Sequence, residues 1–367
     1  MHLAFEAVGV KYGGGAVVLV DILSAACRNA AVSQVTVLCS PRAARRFELP
    51  QSEKLQVLEQ DAAERTVTGR MLWLLRGQCT AVRALRPDVF ISLVGVGLGK
   101  PAAFKAVMVQ QSLPFCTEAL ARYDAATRVR MAVIRSLTGA SCRNADMVFA
   151  QTPTMAQWIS DGYRVSPERI SVVLPWVDCI GLGEEQHGSV AHMADTPADR
   201  RLLYVGDTGS HKNLECIVNA MPGIRRRIPG ATAFLTCSPN HPICRNEGIV
   251  GLGYLGGESL KAAYQMATAF VTPSLVESGN LVLVEAMTLG TPVLAADRPY
   301  ARDLCGDAAV YFDPNQPAAL AATAIELLQN LGQRQERARQ GFKAVARGRQ
   351  LRPSDRMIER IVSQACQ

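Results

Sequence analysis

The chain has 367 residues, of which 49% are hydrophobic and 19% charged, and its mean hydropathy is +0.09. That length suits two domains, each able to bury its own core, and the composition excludes a disordered chain. The net charge of +7 lies in the first half: residues 1–177 hold 20 Lys and Arg against 13 Asp and Glu, whereas residues 178–367 hold 19 of each.

No stretch approaches the roughly eighteen uninterrupted apolar residues of a membrane-spanning helix. The opening MHLAFEAVGVKYGGG has no signal-peptide pattern, so an internal, cytoplasmic location is expected. Eleven cysteines occur without a Cys-x-x-Cys pair and read as buried thiols in a reducing compartment. The histidines (His2, His187, His192, His211, His241) lack metal-ligand spacing, and no Asp-x-Asp occurs.

In chain order, an apolar run from Leu3 to Val10 leads into Gly13-Gly14-Gly15, a helical stretch over 16–28 and a strand over 34–39. Further strands are expected at 88–94, 106–110 and 146–151, with helices over 70–85 and 119–137 between them. Residues 178–200 lose apolar periodicity and read as a linker. A second series then begins: strands at 201–206, 231–237, 270–273, 293–296 and 309–312, with helices from about 213 and over 258–267, 281–289 and 318–328. The expected fold is α/β, with two Rossmann-like doubly wound domains facing each other across a cleft and ligands at the carboxyl ends of the strands. The boundaries read as 1–178 for the first domain, 179–200 for the linker and 201–345 for the second. A terminal helix over 346–367 is expected to pack back towards the first domain.

The chemistry concentrates in PSLVESGNLVLVEAMTLGTPV (273–293). Glu277 stands in a loop and Glu285 eight residues later, in the second turn of a helix that begins near Asn280. The N–H groups of Gly279, Asn280 and Leu281 then lie at a helix N-terminus, suited to a diphosphate. A carboxylate beyond the phosphates can accept hydrogen bonds from sugar hydroxyls. Glutamates near helix starts are also common as dipole partners, so a single one carries little.

The segment resembles the paired-glutamate signature of the family 4 retaining glycosyltransferases of GT-B fold. Three more segments agree in order: YVGDTGSHKN (204–213), GYLGGESLKAAYQMATAFVTPS (253–274) and PYARDLCGDAAVYFDP (299–314), with Asp303 at the family's acidic position. The resemblance spans about residues 150–330. The first half agrees in outline, through its glycine loop and the QTPTMAQWISDGY and VVLP runs. It implies that Glu277 faces the donor sugar, Glu285 the nucleotide ribose and Lys212 the leaving diphosphate. Gly14 and Gly15 would approach the phosphate, and Tyr254 and Leu255 the base. The family's usual arginine before this lysine is replaced by Asp207, leaving Arg245 or a first-half arginine as substitutes. Its N-domain histidine is absent, and Gln110 and Gln111 stand in that region as possible sugar contacts.

The implied activity is a retaining transfer without cofactor or metal, from a nucleoside-diphosphate sugar to a cell-surface polysaccharide or lipid-linked acceptor. The loop His211-Lys212-Asn213 resembles that of GDP-mannose users. Alternatives are a nucleotide-sugar epimerase of the same fold and a non-catalytic nucleotide-sugar-binding protein. Residues 251–256 also match Gly-x-Gly-x-x-Gly, but without the acidic residue of a dinucleotide site. A nucleic-acid role is not expected, because the arginines lack interleaved aromatics in a recognised module.

Two basic stretches remain. Arg65, Arg70, Arg76, Arg83 and Arg86 flank Met71, Leu72, Trp73, Leu74 and Leu75, and Arg128, Arg130, Arg135 and Arg143 follow later. Basic and apolar residues on one helix suit an anionic membrane surface, hence a peripheral location at its inner face; a helix burying its Trp and Leu and solvating its arginines has the same pattern.

Overall fold

The computed structural model describes residues 1–10, 13–61, 66–175 and 188–366. Arg65 and residues 179–187 of the expected linker lie outside them. The chain divides into two units, one of residues 1–115, 124–177 and 351–367, the other of residues 116–123 and 178–350.

The first unit is built on β1 (His2–Glu6), β2 (Gln34–Cys39), β3 (Leu55–Glu59), β4 (Val89–Ser92), β5 (Phe104–Val109), β6 (Met147–Ala150) and β7 (Ile170–Val172). They form a parallel sheet in the order β3-β2-β1-β4-β5-β6-β7. The second unit carries β8 (Arg201–Tyr204), β9 (Thr232–Leu235), β10 (Ile249–Gly251), β11 (Ala269–Thr272), β12 (Val293–Ala296) and β13 (Ala309–Phe312), parallel in the order β10-β9-β8-β11-β12-β13. Central strands such as β4, β6, β11 and β12 are buried at every residue, which explains their unbroken apolar runs. Among the described residues no helix is long and apolar enough to cross a membrane.

The last helix, Pro353–Ala365, belongs to the first unit. It packs on the helix Gly14–Arg28, where Asp355 Oδ1 lies 2.8 Å from Arg28 Nη2 and Ser354 Oγ donates to Asp21. The unit boundary falls at 350, five residues beyond the sequence estimate. The helix expected over 119–137 is instead a short turn, Thr117–Leu120, and a separate helix, Ala125–Arg143. Asp124 makes the break: its side chain accepts from Thr127 N at 2.8 Å and starts the second helix.

The basic stretch 67–85 is helical throughout but widens into a π-turn at Trp73–Gly77. The Trp73 ring lies over Gly77, where a Cβ would come within 3.0 Å of it. Of the two readings this stretch allows, Trp73 follows the one that buries it. The ring is buried at 8% exposure, and its Nε1 donates to Glu6 Oε1 at 3.1 Å. Met71, Leu72 and Leu75 remain exposed.

Glu6 ends β1 and is fully buried, accepting also from Val8 N at 3.2 Å. Burial raises its carboxyl above the ordinary value, against the pull of Arg70 and the hydrogen bonds from Trp73, Val8 and Gln78. Its Oε2 and the Oε1 of Gln78 are buried acceptors without a donor, and a proton on Glu6 turns one acceptor of this corner into a donor. Trp73→Phe removes the donor to Glu6 and is expected to destabilise the first unit by about 1–3 kcal/mol, measured by urea denaturation. An unchanged midpoint would show that Glu6 does not need it.

Candidate functional site

In the second sheet the strand order turns between β8 and β11, and loops leaving neighbouring strands there form the crevice in which doubly wound sheets bind ligands. β8 leads into Gly206, whose φ of 147° is open to glycine and where a Cβ would meet the Tyr204 hydroxyl at 2.7 Å. That hydroxyl donates to Asp207 O at 2.7 Å, and Asp207 Oδ1 accepts from Gly209 N at 2.7 Å. Asp207 therefore shapes the loop between β8 and the Ser210–Lys212 turn.

The loop closes in the turn Ser210–Lys212, followed by left-handed Asn213 (φ 57°) at the head of the helix Leu214–Arg227. The Asn213 amide donates to Pro273 O at 3.3 Å and to Pro314 O at 2.8 Å. Leu275 N donates to His211 O at 2.9 Å, joining the same loop to the chain leaving β11. Glu277 arrives beside Lys212: Nζ and Oε1 are 2.7 Å apart, with the side chains only 16% and 13% exposed. Burial alone would lower the lysine's value, but Glu277 and Asp207 outweigh it and hold the ammonium charged.

Past Gly279, Asn280 caps the helix Leu281–Thr288 with φ 21° and ψ 69° and no side-chain cap bond. Such a backbone costs of order 1–3 kcal/mol. Its Nδ2 is a buried donor without a partner. The first N–H groups of the helix have no partner within it, as at any helix start. Leu281 is buried, so its backbone alone can face a ligand.

Glu285 follows in the second turn, 9% exposed, and its Oε2 accepts from the Tyr264 hydroxyl at 2.9 Å. Burial pushes the carboxyl up to about 7, although the Tyr264 bond pulls it down. The folded value lies above the ordinary 4.5, so the folded chain holds an extra proton between the two and loses stability as pH rises through that window. Glu285→Gln is expected to gain on wild type by roughly 3 kcal/mol between the acid and alkaline sides of the window, measured by denaturation across pH. A pH-independent difference would place the titration elsewhere.

Tyr254 and Leu255 part company: Tyr254 is 40% exposed, whereas Leu255 is 4% exposed and packs in the core, leaving only its backbone for a ligand. Arg245 is an exposed residue of the turn Pro242–Arg245. Asp303 lies on the helix Pro299–Cys305.

Two neighbours of the lysine loop escaped sequence reasoning. Residues 116–123 belong to this unit, although the chain on both sides belongs to the other. From this strap Tyr123 Oη is hydrogen-bonded to His211 Nδ1 at 2.6 Å, and Arg122 Nη1 donates to Asn213 Oδ1. Glu118 in turn binds Arg298 Nη2 at 2.8 Å and Asn315 Nδ2 at 2.7 Å. No local signal marks them, because the pairs are 88 and 91 residues apart.

In the first unit Gly13 (φ 64°) precedes the helix Gly14–Arg28, placing Gly14 and Gly15 in its first turn. A Cβ on Gly15 would stand 3.9 Å from Gln110 Oε1, so the glycine turn and Gln110 are neighbours. Gln110 Nε2 donates to Leu93 O at 2.9 Å, while Gln111 Nε2 points to Met131 Sδ at 3.6 Å.

Residues 199–330 match the family described as Glycosyl transferases group 1. A D-inositol 3-phosphate glycosyltransferase of Salinispora tropica is 29% identical over 225 residues, covering 53% of this chain and 46% of that protein. The O-antigen chain mannosyltransferase B of Escherichia coli is 37% identical over 79 residues, 22% of this chain and 21% of its own. The matches thus span less than half the length of these relatives. Among solved structures, Anabaena HepE in complex with UDP and glucose superposes with a TM-score of 0.67 at 16% identity, covering 99% of this chain and 98% of that one. Residues 199–330 are thus similar to the Glycosyl transferases group 1 family, and the fold around them is of the GT-B kind.

Proposed function

We propose that the protein is a retaining, metal-independent glycosyltransferase that moves a sugar from a nucleoside diphosphate to a saccharide or lipid-linked acceptor. The observation that carries this reading is the largely buried Lys212–Glu277 pair at the β8/β11 turn of the sheet, beside the start of the helix that bears Glu285. Departure of a nucleoside diphosphate builds negative charge on its phosphates. Lys212 is a fixed cation for that charge, and the N–H groups at the helix start with Asn280 Nδ2 are donors for its oxygens. As the lysine turns to the diphosphate, Glu277 is released to accept from sugar hydroxyls. Glu285 offers a carboxylate to the ribose, and its raised value makes nucleotide binding strengthen as pH rises through about 7. The chain has no Asp-x-Asp pair for a divalent ion, so charge neutralisation falls to the lysine and the helix start.

For the donor, the His211-Lys212-Asn213 loop and the likeness to a mannosyltransferase favour GDP-mannose, while HepE was captured with UDP. Calorimetry with UDP-, GDP- and ADP-sugars in EDTA decides between them. Binding without metal to one of the series is expected; Glu285→Ala should abolish it, and Lys212→Ala should lower the transfer rate at least about a hundredfold. Glu277→Gln should slow turnover more than it weakens nucleotide binding. Undiminished nucleotide binding by Glu285→Ala, or an absolute demand for Mg²⁺ or Mn²⁺, would overturn the site.

The acceptor half of the proposal concerns a surface. Exposed Met71, Leu72 and Leu75 accompany Arg76 and Arg83, and exposed Val129 and Val133 accompany Arg128 and Arg130. Each cation near an anionic bilayer contributes about 1 kcal/mol, which supports peripheral attachment where a polysaccharide or lipid-linked acceptor would be met. Sedimentation with vesicles containing anionic lipid should show binding that weakens with salt. No binding at low salt would remove the membrane from the proposal and leave the transferase reading in place.

A further inference from the structure

The glycines of the Gly-x-Gly-x-x-Gly match at 251–256 were given no nucleotide role in the site above, and the first of them has another use. Gly251 ends β10, and a Cβ there would stand 2.9 Å from Cys244 Sγ and 2.8 Å from Pro239 Cα. The missing Cβ is therefore the space in which the Cys244 sulfur sits. That sulfur lies 3.6 Å from Cys237 Sγ, at the far end of the same turn. Among the described residues this is the one sulfur–sulfur pair within hydrogen-bonding distance.

The turn is held at both ends. Cys237 follows β9 and its carbonyl accepts from Gly253 N at 2.8 Å; His241 N donates to Ser238 O at 2.9 Å and Cys244 N to His241 O at 2.9 Å. Cys244 Sγ also points to Ser238 O at 3.7 Å. A disulfide requires sulfurs about 2.05 Å apart, so the pair must close by about 1.5 Å, within reach of a side-chain rotation in a turn already folded back on itself.

We propose that Cys237 and Cys244 are a modification site, a dithiol that closes reversibly to a disulfide on reaction with a small-molecule disulfide of the glutathione type. Cys244 is partly exposed and Cys237 buried, which sets the order of events. The Cys244 thiolate attacks one sulfur of the oxidant, forming a mixed disulfide and expelling one thiolate. Cys237 then gives its proton to solvent and attacks Cys244 Sγ, expelling the second. Two protein thiols are oxidised and one small disulfide is reduced to two thiols. Burial and the neighbouring Cys244 raise the Cys237 thiol to about 12, so this second step is the slow one and quickens with pH. The bond would pin the turn that carries Gly253 through the Cys237 carbonyl, next to exposed Tyr254. Any effect on nucleotide affinity rests on the proposed function, whereas formation of the disulfide does not.

The chain is equilibrated across ratios of oxidised to reduced glutathione, alkylated, digested with trypsin and weighed. Both cysteines fall on one peptide, Ile228–Arg245, which holds no other cysteine. The expected result is a peptide two hydrogens lighter that carries no alkyl label, formed before any other cysteine is lost and reversed by dithiothreitol. Cys244→Ser should leave Cys237 labelled at every ratio. Full labelling of both cysteines throughout, or disulfides scattered over other pairs at the same ratio, would overturn the proposal. Nucleotide affinity of the oxidised form, measured separately, reads the consequence for the donor site.

Discussion

Asn213 is the residue on which the lysine loop depends. Its left-handed backbone turns the chain from the Lys212 turn into the helix Leu214–Arg227, and its amide binds the carbonyls of Pro273 and Pro314, which lie beyond two different strands. Three segments far apart in sequence are thereby fixed on one side chain, with Arg122 on its oxygen. An ammonium and a carboxylate on loops would ordinarily spend their time in solvent, where such a pair is worth little. Here the loops are held by hydrogen bonds of their own, and the 2.7 Å contact sits on that scaffold.

The site nonetheless opposes stability at several points. Glu285 is a buried carboxylate with one phenol as partner, Asn280 has a strained backbone and an unpartnered donor, and the helix between them begins without a side-chain cap. Each lowers the stability of the empty fold, and each is a group that a ligand with phosphates and hydroxyls can satisfy. The apolar surroundings tolerate this because β11 and β12 are buried at every position, and Tyr264 and Tyr300 carry their hydroxyls inward to Glu285 and Ser274 O.

The sequence was legible where burial is two-sided. The strands at 34–39 and 293–296 appear at the expected residues, and so does 309–312, an edge strand with buried ends. Three strands were not foreseen, β3, β7 and β10, and all three are sheet edges. β3 reads LQVLE with no residue fully buried, and the other two are three residues long, so neither periodicity nor an apolar run announces them. In the site, Lys212, Asn280 and Glu285 stand on elements that their own neighbours specify, and Glu277 sits in the loop expected for it. The strap escaped because the Tyr123–His211 bond depends on the folded chain and not on any local pattern. For Leu255 and Trp73 the sequence left burial undecided, because an apolar side chain beside polar ones looks the same whether it faces solvent, ligand or core.

The helix Pro353–Ala365 completes the first unit from the far end of the chain. Its partner face on Gly14–Arg28 is made about three hundred residues earlier, and Asp21 and Arg28 wait for Ser354 and Asp355. On the ribosome the sheet of the second unit is complete by Phe312, before that helix has been synthesised. The part of the Gly14–Arg28 face that this helix covers is therefore completed only by residues that follow the whole second sheet in sequence.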